Sequence, residues 1–405
     1  MSNATISSLA YLFKHMYDKG VADEALRLHP TIEMIPKIDD FGGDQINYAV
    51  KINNAQNITS GALSVAQAVG TASKGVQFQM LRKIKRGTIS LDVEALMAAK
   101  RQPEGAFATL VTNEVDGFVN EFMDRLGFDI FRDGVGVKGQ ASSINSNTIT
   151  LGTADDARNF KVGMPVGASP NANGSSPRVG TSPVTAIDVD AGTITLANVG
   201  AIASLGTTDY LWANAEGALT ASNSNIEGFE MCTPLTAPSV GTDSFRGVDR
   251  SQNAALLAGS RINDTNTMIE ENAGKIAVKI RQNGGRADTL VLNPQRYWEM
   301  VRRLGAKIMY AGGGGSADYG FEKVLINSPA GVLGVISDPD CPVNRGRVFL
   351  NSSHRMRTLE EFVHIANEDG LYNLRLATDD AIETRVRSMS NYQQVEPRNH
   401  GVFAI

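Results

Sequence analysis

Alternation of apolar and polar positions is sharpest at Gln45–Ile52, where Ile46, Tyr48, Val50 and Ile52 interleave with Gln45, Asn47, Ala49 and Lys51. A period of two marks a strand with one buried face. A Gly/Ser/Ala-rich stretch, 59–75, leads to a second run in which Val76, Phe78 and Met80 alternate with Gln77 and Gln79. Charge then falls on both faces, with Arg82 and Arg86 on one and Lys83 and Lys85 on the other, before Ile89, Leu91 and Val93 restore the alternation. A strand charged on both sides cannot bury either in its own domain. The pattern predicts one long hairpin over Ile46–Val93 that projects about 40 Å. An isolated hairpin is marginal in water, so a neighbouring chain is expected to steady it. The basic cluster would then meet an acidic patch on that neighbour, the alternative being a solvated strand face.

Period 3.6 takes over next. Phe107, Leu110, Val111, Val115, Phe118, Val119, Phe122 and Leu126 form one stripe, which predicts a helix over 104–126 with Pro103 at its start and Gly127 at its end. Upstream, Ala4–Asp18 reads as a short amphipathic helix ended by Gly20, after which Pro30 and Pro36 keep the chain extended. This is an arm with no core of its own. Downstream, Asp264–Gln282 is a helix with Thr267 and Glu270 at capping-box spacing, stopped by Asn283-Gly284-Gly285. Thr289–Leu292 reads as a buried strand, and Asn293-Pro294 opens a helix to Leu304. Further strands are expected at 322–327, 332–337, 346–350, 371–377 and 382–395, with a terminal apolar run at Val402–Ile405.

Composition bounds the class. The 405 residues leave room for two or three domains, and 42% hydrophobic against 20% charged describes a folded chain. From 138 to 225 charge thins and Ser, Thr, Asn, Gly and Ala dominate; Thr148-Ile149-Thr150-Leu151 returns as Thr193-Ile194-Thr195-Leu196. Short, regularly spaced strands with such turns predict an inserted β-barrel or sandwich. The net charge of −5 argues against a dedicated nucleic-acid surface. Cys232 and Cys341 show no metal or redox spacing and are expected to be buried free thiols. The histidines, His15, His29, His354, His364 and His400, fit no catalytic pattern, and Gly312–Ser316 lacks the Lys-Ser/Thr of a phosphate loop. No catalytic, cofactor or metal site, secretory signal or membrane span is expected.

This order of parts resembles the major capsid proteins of tailed bacteriophages, the Hong Kong 97-type fold, an α+β class. On that resemblance the chain divides into an N-terminal arm (1–40), an extended E-loop hairpin (41–102), a peripheral P-domain with its spine helix (103–137), the inserted β-domain (138–225), a return to the P-domain (226–238), an A-domain (239–380) and a C-terminal P-domain strand (381–405). Asp133-Gly134-Val135-Gly136 is similar to the family's Gly-rich turn, and Ile226-Glu227-Gly228-Phe229 to the segment that normally follows it directly. Leu290–Trp298 and Ala330–Asp338 leading into Arg347–Asn351 are similar to A-domain core segments.

The resemblance implies a head protein that assembles with copies of itself into hexamers and pentamers around double-stranded DNA contacted non-specifically. It implies assembly in the host bacterial cytoplasm, with a portal protein, a decoration protein and, because no scaffolding segment precedes the hairpin, a separate scaffolding protein. Tyr48, Lys51, Lys74, Phe78, Arg82, Lys83, Lys85 and Arg86 are expected inter-subunit contacts, and Gly42, Gly43 and Gly127 expected hinges. An encapsulin-type compartment shell and a tail or adhesin protein binding through the β-domain are the alternatives.

Overall fold

A computed structural model of the chain describes residues 29–94, 110–213, 225–304, 324–367, 373–376 and 379–405. The helix expected at Ala4–Asp18, the first residues of the 104–126 helix and the Gly312–Ser316 loop lie outside them.

The hairpin is shorter than its sequence pattern suggests. Strands β2 (Gln45–Asn53) and β3 (Lys74–Leu81) pair antiparallel from Gln45↔Leu81 to Asn53↔Lys74, with a register slip beyond Lys51. Nine extended residues reach about 30 Å. The Gly/Ser/Ala-rich stretch between them contains a short helix, α2 (Leu63–Val69). Arg82 ends the ribbon. The chain continues as β4 (Lys83–Asp92), which leaves the hairpin and pairs along Ala381–Ser390 of β19 (Ala381–Gln394). Two collinear strands in two different sheets therefore produced the single run of alternation.

Strand β19 is the axis of a six-stranded sheet. Strand β4 runs along one edge and β16 (His354–Thr358), β17 (His364–Ile365) and β18 (Asn373–Arg375) along the other, with β1 (Lys37–Asp39) parallel to β16. The long helix α3 (Leu110–Phe131) lies against β4, close enough that a side chain at Gly87 would strike the Phe118 ring. It does not stop at Gly127 but runs on to Phe131. Pro30, expected in extended chain, instead opens the five-residue helix α1 (Pro30–Met34), where its fixed φ suits the first turn.

A second sheet has the order β11-β20-β15-β12-β14-β13, built from β11 (Ser260–Ile262), β12 (Thr289–Leu292), β13 (Val324–Ser328), β14 (Gly331–Ser337), β15 (Arg345–Phe349) and β20 (Gly401–Ala404). Helices α6 (Ile269–Gln282) and α7 (Pro294–Leu304) cover one face, burying Ile276 and Ile280 against Leu290, Leu333 and Phe403. Three expectations are corrected here. The capping box does not form: α6 starts at Ile269, and the Thr267 hydroxyl donates to Asp264 (2.6 Å). Strands β16, β17 and β18, within the 239–380 segment that the resemblance assigns to the A-domain, pair with β19 and not with the α/β sheet. The terminal run Gly401–Ala404 crosses the other way, seated between β11 and β15, because its apolar residues fill the slot beneath α6.

Residues 139–213 close into a six-stranded barrel in the order β10-β5-β6-β9-β8-β7, from β5 (Gly139–Asn145), β6 (Thr148–Leu151), β7 (Pro165–Ser169), β8 (Ser182–Asp188), β9 (Thr193–Leu196) and β10 (Tyr210–Ala213). The two Thr-Ile-Thr-Leu strands are neighbours, with Ile149 opposite Ile194, both buried, and threonines on the outer face. Chain leaves and returns at one point. Gly134, at φ +84°, turns with its carbonyl accepting from the Asn225 amide (3.1 Å), and a Cβ there would crowd the carbonyls of Asn225 and Ile226.

One apolar core joins these parts. Ile32 and Ile35 of the arm, Phe78 of β3, Phe122, Leu126 and Ile130 of α3, and Phe229 of α4 (Phe229–Cys232) meet Phe349 and Tyr392 in it.

Candidate assembly surfaces and their anchorage

The hairpin is fixed at its root. Phe78 is 1% exposed, stacked on Tyr48 with ring centroids 5.2 Å apart and edge-on to Phe245 at 6.1 Å. Arg246 closes the joint: Nε donates to Glu227 (2.7 Å), one terminal nitrogen to the Tyr48 hydroxyl (3.0 Å) and the other to the Tyr392 carbonyl (2.7 Å). Its own carbonyl accepts from the Gln79 amide (3.0 Å). Burial would raise the Glu227 carboxyl, but the charges of Arg246 and Lys83 prevail and hold it below the usual range. A buried guanidinium with this many partners fixes angle as well as position.

Most of the predicted contact residues are therefore engaged within the chain. Phe78 has no surface left to offer a neighbour. Lys83 pairs with Glu227 (3.3 Å) and Lys85 with Asp129 of α3 (2.5 Å), so the acidic partners of the basic cluster belong to the same subunit. Alternation explains it: Lys83 and Lys85 share the face turned toward α3, whereas Ile84 and Arg86 share the outer one. Arg82 caps the hairpin base, donating to the carbonyls of Phe41 (3.4 Å) and Gly43 (3.1 Å) and to Asp44 (3.2 Å). Lys51, Lys74 and Arg86 are exposed, and Tyr48 is half-buried.

The glycines separate as well. Gly42 and Gly43 lie exposed at the hairpin base, with no left-handed φ. Gly127 is no boundary. It sits inside α3, where a Cβ would overlap the carboxylate of Asp340 and the ring of His29. Its role is to let a buried ion cluster cross the helix.

Far from the root the ribbon is uncovered. Ile58 is 87% and Leu63 74% exposed, with Val65 exposed beside them on α2. Such side chains grouped at the end of a projecting ribbon mark a contact surface. Trp298 on α7, with Leu325 and Val332 on the β13–β14 edge of the sheet, are also exposed.

No local pattern marks the residues that anchor these surfaces: Arg246, the His29 cluster, and Arg347, whose guanidinium pairs with Glu230 and donates to the Thr233 carbonyl (2.7 Å) in the interior. Glu227 lies in a segment singled out for its sequence, but its partners come from 19 to 164 residues away. Cys232 and Cys341 are free and buried, their thiols pushed up by burial to about 11 in Cys232 and farther in Cys341. Among the described residues no group of three or more His, Cys, Asp or Glu is placed to hold a metal, and no helix is long and apolar enough to cross a membrane.

No protein-family model and no curated protein matches the chain. Solved structures do. The capsid asymmetric unit of cyanophage A-1(L) matches over 97% of this chain and 97% of that one, at 9% identity and a TM-score of 0.53. The capsid of an empty GTA particle matches over 100% and 99%, at 8% identity and 0.48, and the holo-SrpI encapsulin complex of Synechococcus elongatus PCC 7942 over 100% and 96%, at 5% and 0.47. The chain has the α+β, Hong Kong 97-type capsid fold over the 97% that the cyanophage match covers.

Proposed function

We propose that this chain is the major head protein of a tailed bacteriophage, which assembles into hexamers and pentamers to form an icosahedral shell around double-stranded DNA. The observation that carries the reading is the hairpin: in a chain folded like a cyanophage capsid subunit, its root is rigidly anchored while its tip presents Ile58, Leu63 and Val65 to nothing among the described residues. A lever of this form supports heterologous contacts, which close into a shell when repeated by symmetry. Lys51 and Lys74 are the charged groups of the ribbon available to the same contact, and Arg86, exposed on β4, is available to a second contact at the body. Gly42 and Gly43 are the candidate hinges, and their movement must break the bonds of Arg82. The net charge of −5 suits a container through which DNA passes without being held. A separate scaffolding protein, a portal and a decoration protein complete the proposal, with assembly in the bacterial cytoplasm.

Co-expression with the scaffolding protein of the same phage, followed by electron microscopy, tests it. Closed shells of uniform size are expected, and deletion of 57–75 should leave a folded subunit that builds none. A folded monomer or trimer that never assembles and binds a receptor or glycan through 138–225 would replace this reading with an adhesin. Shells that enclose a protein cargo in uninfected cells would replace it with a compartment.

A further inference from the structure

His29 stands at the start of α1, where the arm meets the body, and is 6% exposed. Its Nδ1 lies 2.6 Å from Asp340 Oδ2 and its Nε2 3.0 Å from Asp124 Oδ1. Carboxylates only accept hydrogen bonds, so two such partners require both ring nitrogens to donate, which only the imidazolium can do. Gly127 leaves the space in which the ring and the Asp340 carboxylate cross α3.

We propose that protonated His29 is a latch that fastens the arm and the 338–341 turn of the α/β lobe to the spine helix, and that loss of its proton releases both. Every element packed around it contributes charge. Helix α3 supplies Asp124 and Glu121, and Arg125, which is bound to Glu121 (3.0 Å). The barrel supplies Lys161, paired with Asp124 (2.6 Å) and with Glu121. The turn supplies Asp340 and Asp338, and α1 adds the Thr31 amide, which donates to Asp338 (3.0 Å). With His29 neutral, Asp124 keeps Lys161, but Asp340 faces Asp338 with no cation among the described residues between the turn and the helix. The arm and turn therefore come free while the barrel stays docked.

The sign follows from the histidine's titration. Burial alone would lower its proton affinity; the hydrogen bonds and charges of Asp124 and Asp340 outweigh that and raise its pKa from 6.5 to about 9. The folded chain thus holds this proton on the order of a hundred-fold more tightly than the unfolded one, an advantage complete below pH 6.5 and lost as pH rises through about 9.

The test compares the unfolding equilibrium of the full-length chain and His29→Asn from pH 6 to 10. A ratio of unfolding constants of roughly a hundred-fold or more at pH 6 that closes towards pH 10 is expected; a ratio independent of pH overturns the proposal. Should the variant not fold, hydrogen exchange of the wild-type chain decides, with 148–151 of the barrel as internal reference for the chemical effect of pH. Segments 29–35 and 338–341 should lose protection relative to that reference as pH passes 9, and parallel exchange in all three overturns the latch.

Discussion

Arg246 and Glu227, on two segments that flank the root of the hairpin, are joined by a 2.7 Å charge-assisted hydrogen bond in the interior of the chain. The pair sets the angle at which the hairpin leaves the body. From the same guanidinium one bond goes to Tyr48 on the ribbon and another to the Tyr392 carbonyl on the long β19 strand.

Replacing Arg246 by leucine removes the cation but leaves Glu227 buried beside Lys83 alone. Stranding a buried charge in this way costs about 3–5 kcal/mol. We expect a loss of that size in urea unfolding, and no recovery with Arg246→Lys, whose single ammonium cannot reproduce the forked geometry. A lysine variant as stable as wild type would show that charge alone suffices.

The two ends of the hairpin should respond oppositely. Phe78→Ala opens a cavity in the shared core and is expected to destabilise the subunit by about 3–5 kcal/mol. Ile58→Ser and Leu63→Ser at the exposed tip should leave unfolding within about 0.5 kcal/mol of wild type and instead reduce particle yield. Sedimentation of assembly reactions beside thermal denaturation of the subunits separates the two effects.

A glycine-to-alanine change inside a helix normally stabilises by about 1 kcal/mol. At Gly127 the sign should reverse, because the methyl group would strike the Asp340 carboxylate and the His29 ring. A net loss of about 1–3 kcal/mol is expected, whereas Gly117→Ala on the same helix, where a Cβ meets nothing within 4 Å, should stabilise. Denaturation midpoints of the two variants measured side by side check this.

Acid should weaken the junction between the two sheets. His354 and His400 are buried against Phe349, their pKa values lowered from 6.5 to about 4 and about 3 chiefly by burial. The unfolded chain therefore binds protons below pH 6.5 that the folded chain refuses, and stability falls as pH drops from 6.5 towards 4, by a few kcal/mol in all. His29 has the opposite sign: its contribution is complete below pH 6.5, declines from there and is gone above about 9. Stability against pH should therefore peak near pH 6.5 and decline on both sides, on the alkaline side until about pH 9, and His354→Asn should flatten the acid limb.

The barrel has its own core, with Ile149, Val166, Ile194 and Leu211 fully buried. A fragment spanning 137–213 should unfold in one cooperative transition. In the full chain, Lys161→Met should loosen its attachment to α3, because it removes the bonds to Glu121 and Asp124 and leaves Arg132–Asp156 (3.2 Å), Asn293–Asp155 (3.1 Å) and the Trp212 indole on the Val135 carbonyl (3.3 Å) among the described ties to the body. Hydrogen exchange at Glu121–Arg125 reports that loosening.

The sequence by itself determined the local elements. The alternation of Gln45–Ile52, the long apolar stripe ending at Leu126, the apolar Thr289–Leu292 and the paired Thr-Ile-Thr-Leu strands are local periodicities, and strand or helix follows from which face they bury. Their order along the chain was enough to suggest the capsid fold. Only the tertiary structure decided what each element packs against. Nothing near Lys83 and Lys85 in the sequence reveals that Glu227 and Asp129 wait on other segments, so a basic strand read as seeking a neighbour is satisfied at home. Gly127 read as the end of a helix because glycine breaks helices; the ring and carboxylate that require it come from residues 98 positions before and 213 after it. Charge pairs, close approaches and sheet membership are set by long-range contacts, and burial, which decides their strength, exists only once the chain has folded.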